Sequence, residues 1–415
     1  MRRSILLASA LATTLALTAC GSGEGTAGGS GDEPADDAAS ATAQASGSLT
    51  VWVDETREAA VEQAAAAFED ETGVDVELVQ KNFEDIRADF LAQVPTGEGP
   101  DITVGAHDWL GEFTANGVVA PIELGDKAGD FIPVSVEAFT QDGQVYGLPY
   151  AIENIALIRN TELAPEAPKT FDDMIAAGEK AGTKFPFLIQ SDGDKGDPYT
   201  YYPFQTSFGA PVFEQNDDGS YRPELALGGK AGEAYATWLG EQGEAGNLST
   251  DISYDIAVEA FAKGRSPFVV GGPWMLEKFG DLDLAVDPVP APGGQPAQPF
   301  AGVQGFYVSA QSENALLAND FLVNSMSTPE AQTALFEAGG RPPALVEAAD
   351  AASEDPLVAG FREVGATALP MPSIPEMGSV WSFWGVTEAS IISGKADDPA
   401  AAWDKMVSDI EGSIG

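Results

Sequence analysis

Leu49-Thr50-Val51-Trp52-Val53 is a short apolar run of the kind that forms a buried strand. After it, Val61, Ala64, Ala65 and Phe68 recur at helical spacing on one face until Thr72-Gly73 stops the pattern. Val74, Val76 and Leu78 then alternate with Asp75, Glu77 and Gln80, which predicts a second strand, and strand, helix, strand predicts a parallel βαβ unit. Phe83, Ile86, Phe90, Leu91 and Val94 predict a further helix closed by Pro95, with another short strand opening at Pro100-Asp101-Ile102. Turn chemistry at Asp142-Gly143 separates an extended pair ending near Tyr150, and residues 155–158 give one more strand running away from it. Farther on, helical patterns at 171–181, 231–239 and 257–263 alternate with a strand at Phe268-Val269-Val270. A Pro- and Gly-rich loop spans 288–299, followed by a strand at 306–308 and a helix at 315–325. The fold class is therefore α/β, and the chain beyond Ser48 is longer than one hydrophobic core usually serves, which favours two lobes.

The N-terminus breaks this alternation. Arg2 and Arg3 precede a nearly uncharged apolar run from Ile5 to Leu17, and Leu17-Thr18-Ala19-Cys20 closes it. That reads as a lipoprotein signal, residues 1–20, whose cleavage leaves Cys20 as a lipid-modified N-terminus on the extracytoplasmic side of the cell membrane. Residues 21–47 are almost wholly Gly, Ser, Ala, Thr, Asp and Glu and read as a disordered tether with a root-mean-square reach of roughly 30 Å.

Charge and missing motifs narrow the function. With 20 Lys+Arg against 65 Asp+Glu the formal net charge is −45, which repels phosphate backbones and excludes nucleic acid as a partner. Cys20 is the one cysteine, so neither an intramolecular disulfide nor a multi-Cys metal site can form. The one histidine, His107, limits general-base chemistry and reads as structural, and no HExxH, GxSxG or P-loop pattern occurs. No enzyme, no cofactor and no metal site is expected.

Seven blocks then carry a resemblance: Gly99-Pro100-Asp101-Ile102 with Ala106-His107-Asp108-Trp109-Leu110-Gly111; Leu148-Pro149-Tyr150-Ala151-Ile152-Glu153-Asn154; Asp197-Pro198-Tyr199; Ala260-Phe261-Ala262-Lys263-Gly264; Gly272-Pro273-Trp274; Pro299-Phe300-Ala301-Gly302-Val303; and Met371-Pro372-Ser373-Ile374-Pro375-Glu376-Met377. In this order they resemble the maltose/maltodextrin-binding proteins of ABC importers over nearly the whole folded body. The resemblance implies a two-lobed periplasmic-binding-protein clamshell with discontinuous lobes and a hinged cleft. Residues 48–152 with 304–347 would form the N-terminal lobe, and 153–303 with 352–415 the C-terminal lobe. It further implies an oligosaccharide ligand, a transmembrane permease partner and a monomer.

A pyranose offers one apolar C–H face and a rim of hydroxyls, so it suits an aromatic plate with charged acceptors at its edge. By position in the blocks, Trp274, Trp381 and Tyr199 look like plates, and Asp108, Glu153 and Asp197 like hydroxyl acceptors. Each has a plainer competitor: Asp108 as a cap of a helix starting at Trp109, Glu153 in a structural ion pair, and Trp381 in a core with Phe383 and Trp384. The family's arginine after the Asp of the Ala-His-Asp block is Trp109 here, and its tryptophan just before that block is Gly105, so Trp109 is a candidate plate as well. Asp54 and Arg57 carry over as polar cleft-edge residues. Two alternatives stay open: a ferric-ion or other small-solute receptor of the same fold using Tyr199, Tyr201 and Tyr202, and a secreted glycosidase using two of the many carboxylates.

Overall fold

The structure, a computed structural model, describes residues 47–216 and 220–414. Cys20, the signal segment and the tether up to residue 46 lie outside the described residues. β1 (Ser48–Val53) and β2 (Asp75–Gln80) pair in parallel and are joined by α1 (Glu58–Thr72), as the pattern predicts. Gly73 ends α1 in the left-handed conformation at φ 75°, which Gly adopts without a Cβ clash. α2 (Phe83–Gln93) then buries Ile86 and Phe90, and β3 (Ile102–Ala106) returns beside β1, again in parallel.

β4 (Gly147–Glu153) belongs to the same sheet, but the next strand does not. β5 (Ala156–Asn160) lies at the centre of a second, four-stranded sheet with β6 (Leu188–Ile189), β7 (Phe268–Gly271) and β8 (Leu284–Asp287). The chain then returns to the first sheet as β9 (Phe300–Ser309), which pairs antiparallel with both β3 and β4. A last two-residue strand, β10 (Leu369–Pro370), pairs in parallel with the start of β9. β9 is longer than the three residues its apolar core suggested, because Phe300 to Gln304 also pair, with β10 and β4.

The second sheet shows why its strands read as continuous apolar runs. Ile158, Leu188 and Val269 face one side and pack with Phe261, Phe279 and Phe361, while Leu157, Ile189 and Val270 face the main core on the other. Period-two side chains covered on both faces leave no polar alternation. The helix expected over 315–325 is α-helical from Ala315 to Asp320 and then widens to a π-helical turn, Phe321–Met326. Among the described residues no helix is long and apolar enough to cross a membrane.

Candidate functional site

Two polar clusters meet where the strands of the first sheet end. Asp54 follows β1 directly, and its Oδ1 accepts from the Thr56 N–H at 2.9 Å and the Thr56 hydroxyl at 2.6 Å, while Oδ2 pairs with Arg57. Arg57 is 1% exposed and lies over the rings of Phe83 and Tyr150. It donates to the Tyr150 hydroxyl, and at 3.0 Å to Gln304 Oε1. Glu153, the last residue of β4, accepts from Gln304 Nε2 at 2.8 Å and from Arg341 Nε at 2.7 Å. All four carboxylate oxygens of this cluster are thus engaged within the protein. Burial pushes the Asp54 carboxyl up, but the neighbouring Arg57 and Arg341 charges and the Thr56 hydrogen bonds outweigh it and hold Asp54 below the usual carboxylate range.

The second cluster is built differently. His107, Asp108 and Trp109 form a 3-10 turn at the carboxyl end of β3, the position where open α/β sheets place ligands. Asp108 Oδ2 accepts from the Trp381 indole N–H at 2.9 Å, while Oδ1 is buried without a partner from another residue. Burial pushes the Asp108 carboxyl up to about 6, against smaller opposing effects of Arg87 and Trp381. Asp197 caps the helix α3 (Pro198–Ser207), accepting from the Thr200 N–H at 3.2 Å and from Gln190 Nε2 at 2.5 Å. Burial raises its pKa too. Tyr199, in the first turn of α3, places its hydroxyl where Glu153, Arg341, Asp108 and Asp197 all act on it, yet that hydroxyl has no hydrogen-bond partner. Gln190 Oε1 is a third buried, unpartnered oxygen. Unpaired buried oxygens forfeit their hydration, which makes these three candidate contacts for donors from outside the chain, though Gln332 and Glu388 carry others elsewhere.

Aromatic rings floor this second cluster in a continuous series. Trp274 follows β7 at the start of a 3-10 turn, with its ring 6.2 Å from Tyr199. Tyr199 lies 6.1 Å from Phe300, Phe300 6.4 Å from Trp384, and Trp384 stacks on Trp381 at 5.5 Å. Trp274, Tyr199 and Trp381 are each half-buried. The structure therefore brings Asp108, Asp197, Tyr199, Trp274 and Trp381 together, with Glu153, Asp54 and Arg57 in the fully paired cluster beside them.

Trp109 is placed otherwise. It is 7% exposed and packs on Phe83 and Phe113, in space that Gly105 leaves open: a Cβ at residue 105 would lie 2.6 Å from the indole. The ring thus fills the core instead of presenting a face to a ligand, a correction to its reading as a plate. Tyr201 and Tyr202 are fully buried, Tyr202 stacked on Phe300 at 3.6 Å, and burial raises both phenols well above their usual range, opposing the tyrosinate that a ferric ion needs. Among the described residues no group of three or more His, Cys, Asp or Glu side chains is placed to hold a metal. His107 is structural: Nδ1 accepts from the Val303 N–H and Nε2 donates to the Met371 carbonyl, each at 3.0 Å, and burial lowers its pKa to about 4.

Sequence reasoning missed Arg341, Gln304, Gln190 and Phe300. Arg341 had a signal, being a lone cation in Gly339-Gly340-Arg341-Pro342-Pro343 within a chain of only 20 Lys+Arg. Phe300 lies inside one of the quoted blocks, and Gln304 directly after it.

An α/β body with two main sheets, an aromatic series and unpaired acceptors at strand ends suits a receptor for small solutes, and comparison agrees: the chain belongs to the bacterial extracellular solute-binding proteins, whose profile matches residues 63–360. It is a two-lobed binding protein and not an enzyme. Among its relatives, the maltodextrin-binding protein MdxE of Bacillus subtilis is 30% identical, over 97% of this chain and 95% of the relative. A galactooligosaccharide-binding protein of the same organism is 28% identical, with 97% and 95% covered. The solved structure of a Thermus thermophilus maltotriose binding protein bound with maltotriose superposes with a TM-score of 0.80 at 34% identity, covering 88% of this chain and all of that one.

Proposed function

We propose that this protein is the extracytoplasmic sugar receptor of an ABC importer and takes a maltodextrin or related α-glucoside between its lobes. The observation that carries this reading is the pairing of buried, unpartnered oxygens on Asp108, Tyr199 and Gln190 with the half-buried rings of Trp274, Tyr199 and Trp381. The rings take the C–H face of a pyranose and the oxygens accept from its hydroxyls. Relatives named for maltodextrin and maltotriose binding support the ligand class.

In this reading residues 48–152 with 304–347 form one lobe and 153–303 with 352–415 the other, so that Asp108 and Trp381 approach from opposite lobes and a sugar contacting both biases them toward closure. Cys20 carries the lipid anchor, the tether spans to the body, and a permease recognises the closed monomer. Isothermal titration calorimetry on residues 48–415 tests the ligand. Maltotriose is expected to bind at micromolar Kd, about −8 kcal/mol. Absence of heat with maltotriose and longer maltodextrins, against clear binding of a galactooligosaccharide, would overturn the α-glucoside assignment. Mass spectrometry of the membrane-extracted protein tests the acyl chains on Cys20.

A further inference from the structure

Arg341 belongs to neither plate nor acceptor, yet it touches both. The helix Pro329–Gly339 ends at Gly340, whose φ of 65° turns the chain sharply. The next residues are locked along β4: the Ile152 N–H donates to the Pro342 carbonyl at 2.9 Å and the Ala344 N–H to the Tyr150 carbonyl at 2.8 Å, so the backbone of Arg341 is fixed to the first sheet. Its side chain bonds at the end of that sheet and also reaches the second. Nε donates to Glu153 at 2.7 Å, Nη1 donates to Thr56 Oγ1 at 3.1 Å, and the guanidinium lies 5.2 Å from the centre of the Trp274 ring. Trp274 is carried by the second sheet, immediately after β7. The backbone makes the same bridge, since a Cβ on Gly340 would stand 2.6 Å from the carbonyl oxygen of Pro273.

We propose that Arg341 is a positioning residue, which ties the Trp274 plate, carried by the second sheet, to the paired Glu153 and Thr56 at the end of the first, and thereby fixes the tilt of the ring that a ligand meets. This rests on the sugar reading of the site. A planar guanidinium can stack on an indole and donate in its own plane at once, whereas an ammonium holds a point charge and cannot do both. Trp274 without Arg341 keeps its apolar contacts with Tyr199 and Gly272 and loses the guanidinium that faces its ring.

The test compares the wild type with Arg341→Lys, Arg341→Gln, Trp274→Phe and the Arg341→Gln/Trp274→Phe double variant, each titrated with maltotriose and recorded by near-ultraviolet circular dichroism without ligand. Arg341→Lys is expected to weaken maltotriose about tenfold. The double variant is expected to bind no worse than the weaker single variant, because both changes remove one arrangement. In the ligand-free spectra, Arg341→Gln is expected to erase the same indole band that Trp274→Phe erases, a signature that a general loss of stability would not single out. Should Arg341→Gln leave Glu153 unpaired and the chain unfolded, Arg341→Gln/Glu153→Gln removes the stranded charge and gives the same readout. Wild-type affinity in Arg341→Lys, multiplying losses in the double variant, or an untouched Trp274 band would each overturn the proposal. If the wild type itself binds no sugar, the function proposed above fails, and the ligand-free spectra alone decide for or against Arg341 as the residue that orients Trp274.

Discussion

Around Asp54 and Glu153 every carboxylate oxygen is satisfied by an arginine, a glutamine or a threonine, whereas around Asp108, Asp197 and Tyr199 three buried oxygens have no partner. The two clusters lie side by side and draw on the same residue types. The first has internal countercharges, Arg57 and Arg341, and behaves as a strut. The second has no arginine or lysine hydrogen-bonded to its carboxylates, Arg87 and Arg341 acting on it only through space, and three of its oxygens lack a partner. Neighbouring carboxylates are therefore told apart by the partners of their oxygens and not by their position in a motif.

The sharpest break in that comparison is Asp54→Ala, which leaves Arg57 charged, buried and short of its nearest anion. A loss of about 3–5 kcal/mol in denaturant unfolding is expected, and a loss below about 1 kcal/mol would remove the strut reading. Trp381→Ala acts on the other cluster: maltotriose affinity is expected to fall about 30-fold, near 2 kcal/mol, with calorimetry as the readout.

Asp108→Asn keeps an oxygen near the indole but no charge, and about a tenfold loss is expected. The wild type adds a pH signature. Because the Asp108 carboxyl titrates at about 6, lowering the pH from 7.5 to 5 protonates it, and maltotriose should bind progressively more weakly, while the Asn variant should show a flat profile.

Glu388 is a third case between the two. It is 1% exposed, its Oε1 accepts from the Tyr235 hydroxyl at 2.9 Å, its Oε2 has no partner, and burial pushes its pKa up to about 8. The folded chain keeps a proton that the unfolded chain gives up above the ordinary value of 4.5, so this group makes stability decline as pH rises from about 4.5 to about 8. Glu388→Gln should flatten that decline and raise Tm at pH 8 by a few degrees, roughly 1 kcal/mol. Smallest of all, Trp109→Phe should change maltotriose affinity less than about twofold, since the ring faces Gly105 and Phe83 and any cost falls on packing. A tenfold loss would restore it as a plate.

Much of the fold was legible because local pattern and tertiary use agree. Val61, Ala64, Ala65 and Phe68 are buried along α1, and the Asp142-Gly143 turn joins a short antiparallel pair with Asp142 at φ 52°. The solute-binding class was legible from the blocks. What stayed hidden depends on partners far apart in the chain. Trp381 reaches Asp108 across 273 positions and Arg341 reaches Glu153 across 188, and no local pattern records which oxygens such meetings leave empty. Trp109 misled for the opposite reason. Its partner, Gly105, is four residues away, and the exchange of a large ring for none at 105 signals a refilled interior as readily as a moved plate.

β9 lies between β3 and β4 in the first sheet although it comes from residues 300–309. A ribosome therefore releases β3 and β4 well before the strand that joins them exists, and the nascent chain carries two open strand edges through the whole synthesis of the second sheet. Such edges invite pairing with other chains. Until Phe300–Ser309 emerges, this polypeptide is expected to gain from being kept apart from its neighbours.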